Sequence, residues 1–308
     1  MARLMPDQTG AIAISGAVLG TVPGVLVGWA YWVSTWAAVA AIAIAATSYL
    51  SAIIPALNAT PMAGALAAVG LIWAMTALNL AGAAFAGRFQ LLTTVLKVLP
   101  LLAVGIIVIV VMAGGQAATP PLPDARTALS GIGAAITLTL FPLLGFETAG
   151  VAADRVRDPA RTVMRATMAG TLLTGIIYIL VSSGIALTLP RDALLASSAP
   201  FALFVETHLG AAAGLAVAGF AAMAAIGALN CWVLMQAEVP LGMARANLLP
   251  PWLGRVSGRD VPVPALILSS ALASLLVLSN ASQSLVGLFT FAALLTTCSS
   301  RYLYIAIC

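Results

Sequence analysis

Residues 141–165 read FPLLGFETAGVAADRVRDPARTVMR, and this stretch decides how the rest of the chain is understood. It sets one carboxylate, Glu147, inside a long apolar run, close to Pro142 and Gly145, two residues that weaken a helix. Arg155, Arg157, Arg161 and Arg165 follow directly. A charge at membrane depth costs about 3 kcal/mol or more even on lenient insertion scales, so such side chains face cavities or pathways. Position alone makes Glu147 a functional candidate.

The flanking sequence is as apolar as this run. Of 308 residues, 62% are hydrophobic and 7% charged, with a mean hydropathy of +1.11. Soluble domains carry about 25% charged residues, so a soluble protein is excluded. A hydrocarbon core of ~30 Å takes about 20 apolar residues per helix. Eight runs meet that need, at about 22–46, 63–85, 91–113, 131–153, 166–189, 210–237, 263–279 and 284–306. They are continuous rather than alternating, which rules out a strand barrel. The expectation is an all-α polytopic membrane protein, one transmembrane domain over 1–308, with residues 1–21 as an amphipathic lead-in.

The net charge of +4 does not point to nucleic acid, because the basic residues sort by membrane side. With eight spans, one face collects Arg3, Arg88, Arg155, Arg157, Arg161, Arg165, Arg245, Arg255 and Arg259, and the other Arg126 and Arg191. Nine against two predicts a multi-pass plasma (inner) membrane protein with both termini cytoplasmic. Lys97 and Arg301 fall within spans and snorkel to an interface. Cys231, Cys298 and Cys308 lack the clustering of a zinc site or disulfide framework and read as small packing residues. His208, the one histidine, reads as a solvated loop residue.

Pro142 removes a backbone hydrogen bond and Gly145 lowers helix propensity, so the helix is expected to open around Phe141–Gly145. Unwound backbone at membrane depth is tolerated only against protein or a water-filled cavity, and transporters bind solutes at such breaks. A simple proline kink is the plainer account. Burial withdraws solvation from a charged carboxyl, which makes Glu147 a candidate proton carrier. Trp232, in GALNCWVLMQ, reads first as packing; with Phe141 it could hold a cation by cation–π attraction, about 0.5–2 kcal/mol each. Asn230 beside it needs a polar partner.

The run GFETAGVAADRVRDPARTVMRA resembles the amino acid–polyamine–organocation permeases, closest to basic amino acid/polyamine antiporters of the arginine/agmatine exchanger type. Gly145 and Glu147 match a G-x-E that ends a broken sixth helix, and Asp158, Pro159 and Arg161 match a cytoplasmic loop motif. GALNCWVLMQAEVPLGMARANLLP resembles the family's eighth helix and following loop, and ARLMPDQTG the end of its second helix. The resemblance implies a LeuT-like inverted-repeat fold, here incomplete: the family's first two and last two helices are expected to be lacking. It implies substrate contacts at Ser34, Thr35, Phe141, Leu144, Gly145 and Trp232, with Glu147 coupling protons. Phe141 stands where the arginine exchanger has tryptophan, and Val39 where it has a polar amide, leaving a neutral or apolar amino acid equally open.

The function expected is a secondary active transporter moving an amino acid or its amine by alternating access, not an enzyme. Its rival is a truncated fragment of such a permease that does not transport. Partners are a small amino acid or amine, protons and the bilayer, with a homodimer in the full-length parent. No metal, organic cofactor or nucleic acid is implied.

Overall fold

The computed structural model describes residues 20–115, 125–145 and 159–307. Among the described residues it forms ten α-helices and no strand. They are α1 (Thr21–Ile53), α2 (Pro61–Leu80), α3 (Ala83–Ala113), α4 (Ala125–Leu140), α5 (Pro159–Thr188), α6 (Arg191–Ala196), α7 (Pro200–Leu209), α8 (Ala211–Arg245), α9 (Val263–Ser279) and α10 (Leu285–Ile307). Short 3₁₀ turns occupy Pro55–Asn58, Phe141–Leu143 and Pro251–Gly254. The helices at 22–53, Pro61–Leu80, Met164–Thr188 and Ala211–Arg245 are long and apolar enough to cross a membrane. Leu101–Ala113, Leu129–Leu143 and Val263–Ser279 are shorter apolar helical stretches.

Prolines set several helix ends. Ile54 precedes Pro55 and takes extended φ/ψ of −121° and 85°, which stops α1. Pro61 occupies the first turn of α2, where its missing N–H is not needed, and the Thr60 hydroxyl accepts from the Ala63 N–H at 3.1 Å. The stretch 190–209, between the apolar runs 166–189 and 210–237, carries α6 and α7. His208 is half-buried in the last turn of α7, its ring 4.6 Å from that of Phe204 and its Nδ1 2.8 Å from the Phe204 carbonyl. It is thus held by its own helix, not solvated in a loop. Cys231 and Cys298 form no disulfide and are exposed on helix surfaces, contrary to a packing role. Arg301, also exposed, donates from Nη2 to the Cys298 Sγ at 3.3 Å.

The interior lies where α1 packs against α8 and α10, with α2 and α9 completing the group. Its buried side chains are small: Ala40, Ala41, Ala65, Ala68, Ala237, Ala265, Ala273 and Ala292 accompany Val39, Ile44, Ile72, Leu229 and Leu266. Lipid tails are as apolar as leucine, so close backbone approach replaces the hydrophobic effect as the source of cohesion. A second cluster joins Val104 and Val108 of α3, Val181 and Ile185 of α5, and Phe204 of α7. The GxxxG spacing Gly210/Gly214 splits into two roles. Gly214 lets α8 lie on α7, where an added Cβ would come 2.7 Å from the Glu206 Cβ, whereas Gly210 turns the chain between the two helices at φ +88°.

Polar side chains tie the helices together inside this apolar group. Pro240 sits within α8 and cannot donate to the Gln236 carbonyl one turn earlier. That carbonyl accepts instead from the Ser269 hydroxyl at 3.0 Å, and Ser269 Oγ accepts from Trp32 Nε1 at 2.9 Å. The Gln236 side-chain amide donates to Ser270 Oγ at 2.9 Å, which lies 2.8 Å from Thr76 Oγ1. One network therefore spans α1, α2, α8 and α9. Ser270→Ala should leave the buried Gln236 amide unpaired and lower stability by about 1–2 kcal/mol. Thermal unfolding in detergent reads this; an unchanged midpoint would remove the network from the account of stability.

Candidate functional site

The α4 helix stops at Leu140, tightens into the 3₁₀ turn Phe141–Leu143 and then leaves helical geometry. Leu144 is extended, at φ −67° and ψ 147°, and Gly145 has φ +101°. The Pro142 and Gly145 pairing thus takes the chain out of helical geometry by Leu144. A positive φ strains any residue with a Cβ, so glycine is required at position 145 by backbone alone. It is required again by packing: a Cβ there would sit 3.2 Å from Cζ2 of Trp232. The broken segment is seated on the indole of α8.

Phe141, Pro142 and Leu144 form one wall of a cleft of about 180 Å³, completed by Ile42 of α1, Ala228 and Trp232 of α8, and Thr296 of α10. Phe141 is fixed from behind by Phe289 of α10, ring edge to face at 5.7 Å and 88°. Thr296 is the polar member, and its hydroxyl donates back to the Ala292 carbonyl at 2.8 Å. None of the described lining residues is charged. Such a lining suits a methylene chain or apolar side chain, with the face of Trp232 available to a cationic group.

The structure brings together Phe141, Leu144, Gly145 and Trp232. Ser34 and Thr35 stand apart, two turns before Ile42 on α1 and buried. Their hydroxyls donate to the carbonyls of Tyr31 and Trp32 at 2.6 and 2.7 Å, so contact with a solute would need those bonds to break. Glu147 and Asp158 lie outside the described residues, as does the lead-in before residue 20. Pro159 and Arg161 fall in the first turn of α5. Ile42, Ala228 and Thr296 were not singled out from sequence, because small and aliphatic residues carry no chemical signature. The signal available was helical spacing: Ala228 stands one turn before Trp232.

Asn230 has the partners its depth requires. Its Oδ1 accepts from Asn79 Nδ2 at 3.0 Å, and its Nδ2 donates to Gln90 Oε1 at 3.1 Å and to the Ala86 carbonyl at 3.2 Å. This amide chain fastens α2 and α3 to the side of α8 whose neighbouring residue, Trp232, bounds the cleft.

Comparison with known proteins places the sequence in a family. The family described as amino acid permease matches residues 1–305. The cadaverine/lysine antiporter of Escherichia coli is 33% identical over 312 residues, which cover 96% of this chain and 68% of the antiporter. The putrescine transporter PotE of Haemophilus influenzae is 31% identical over 257 residues, or 83% of this chain and 59% of that protein. PotE of Escherichia coli is 30% identical over 267 residues, with 85% and 59% covered. These relatives are membrane transporters rather than enzymes, and over almost its whole length the chain belongs to the amino acid permease family.

Proposed function

We propose that this protein exchanges an amino acid for an amine, of the lysine and diamine type named for its relatives, through the cleft beside the broken helix. The observation that carries the proposal is the helix end at Phe141–Gly145 resting on Trp232. Transporters bind solutes where a helix gives way to irregular backbone at a cavity. The aromatic faces of Phe141 and Trp232 hold the alkyl chain and attract its terminal ammonium. Ser34 and Thr35, two turns earlier on α1, would join the path only on release of their bonds to the Tyr31 and Trp32 carbonyls. Exchange then proceeds by alternating access, the broken segment and its neighbours rocking against the network-linked group of α1, α2, α8 and α9.

The wider reading is an inverted-repeat fold of one transmembrane domain, crossing the inner membrane eight times with both ends cytoplasmic. The nine-to-two division of arginines supports that orientation. Asp158 then belongs to a cytoplasmic segment that leads into α5, and Pro159 and Arg161 open that helix on the same side. The transporter is read as a homodimer.

Proteoliposomes preloaded with cadaverine should take up labelled lysine, and leucine should serve as the neutral competitor. Absence of flux with lysine, cadaverine, putrescine and leucine alike would end the proposal. Glu147 is proposed to carry a proton through the cycle. Glu147→Gln should therefore flatten the dependence of uptake on pH between about pH 5 and 7, and slow uptake several-fold. An unaltered pH profile in a variant that still transports would remove the proton role.

A further inference from the structure

The segment between α8 and α9 is a compact, basic cap whose shape the transport reading does not use. α8 has 35 residues, a rise of about 50 Å at 1.5 Å per residue, against a hydrocarbon core of ~30 Å. Its end therefore reaches the headgroup layer. There the chain folds back on itself. Leu253 and Val261, 2% and 0% exposed, plug into the main interior and pin the segment at two points. Between them the Arg255 N–H donates to the Trp252 carbonyl at 3.4 Å, which puts both residues on one turn. Ser257 closes the second half: its N–H donates to the Val261 carbonyl at 2.9 Å, and its hydroxyl accepts from the Arg259 and Val261 N–H groups.

This scaffold holds four side chains outward. Arg245, Arg255 and Arg259 are exposed, and Trp252 is 44% exposed although large and apolar. The Arg259 stem lies over Gly82, where an added Cβ would be 3.9 Å from the arginine Cβ, and the exposed Arg88 follows within two turns of α3. Against these cations stand Asp260 and Glu238, whose charges act on each other beside Arg245. Among the described residues neither Arg255 nor Arg259 has a carboxylate partner. Tryptophan favours the headgroup level, and clustered arginines there attract anionic lipid surfaces.

We propose that Trp252, Arg255 and Arg259, with Arg88 and Arg245 flanking, form a docking site for anionic phospholipid headgroups. The indole enters the interface while the guanidinium groups take the lipid phosphates. A rigid cap binds without ordering a loop on contact, and a lipid held there links the α8–α9 segment to the start of α3. The site is independent of which solute the cleft carries.

The test uses the full chain in nanodiscs of phosphatidylcholine alone or mixed with phosphatidylglycerol. Thermal unfolding and native mass spectrometry of retained lipid are the readouts. Phosphatidylglycerol should raise the unfolding midpoint by several degrees and be retained in preference to phosphatidylcholine, and added salt should erase most of the rise. R255Q with R259Q, and separately W252A, should lose at least half of the rise and the retained lipid. R255K with R259K should keep most of both. R126Q with R191Q, on basic residues outside the cap, should behave as the unaltered chain. An equal rise in the R255Q/R259Q chain, or an equal loss in the R126Q/R191Q chain, would overturn the site. So would an equivalent rise on adding inorganic phosphate to phosphatidylcholine discs, which would make it a site for free anions.

Discussion

Trp232→Ala is expected to lower exchange by one to two powers of ten while the protein still folds. Trp232 bounds the cleft on one side and supports Gly145 on the other, so alanine removes a binding face and a backstop together. Loss of one cation–π contact is worth about 0.5–2 kcal/mol, roughly two- to thirty-fold in affinity. Release of this segment adds to this, because Leu144 and Gly145 lose the surface that the indole gives their extended and left-handed backbone. Trp232→Phe should restore part of the activity, since a smaller ring still presents an aromatic face. Uptake kinetics in proteoliposomes measure both variants, with unfolding midpoints taken alongside. Wild-type uptake by Trp232→Ala would mean that the solute path runs elsewhere.

Gly227→Leu is expected to give the largest loss of stability, about 3 kcal/mol or more. An added Cβ at Gly227 would collide with Thr93 of α3, lying 2.5 Å from its Cβ and closer still to its Oγ1. The Thr93 Cβ is fixed by its backbone, so no rotamer change relieves that overlap and the helices must separate. Overpacking of a well-filled interior costs about 1–3 kcal/mol for added methylenes. Here separation would also stretch the Asn79–Asn230–Gln90 amide chain one turn away. Thr93→Gly in the same chain should recover part of the loss, a coupling that a double-mutant cycle reads directly. Independent effects of the two substitutions would show that α3 and α8 do not meet at these positions.

Much of the architecture was legible before any coordinates. The apolar runs at 263–279 and 284–306 correspond closely to Val263–Ser279 and Leu285–Ile307, because long continuous apolar segments admit only a helix in lipid. The opening at Phe141–Gly145 was equally legible, since proline and glycine act on the backbone locally. Helix ends were less so: α1 runs on to Ile53 and α8 to Arg245, past the apolar limit, because a helix continues into the headgroup layer until a proline or turn stops it.

Chain order alone determined that this protein is helical and membrane-embedded and that a helix gives way near Pro142, since hydropathy, proline and glycine exert their effects within a few residues. Only the tertiary structure decided what the break rests on. Gly145 meets Trp232 across 87 positions of sequence, Ser269 caps the carbonyl that Pro240 leaves unpaired, and Ile42 and Thr296 close a cleft that their residue types do not announce. The physical reason is that such contacts depend on the rotation and spacing of whole helices against one another. That geometry is set by where glycine and alanine let backbones approach, a property of pairs of surfaces rather than of any one segment.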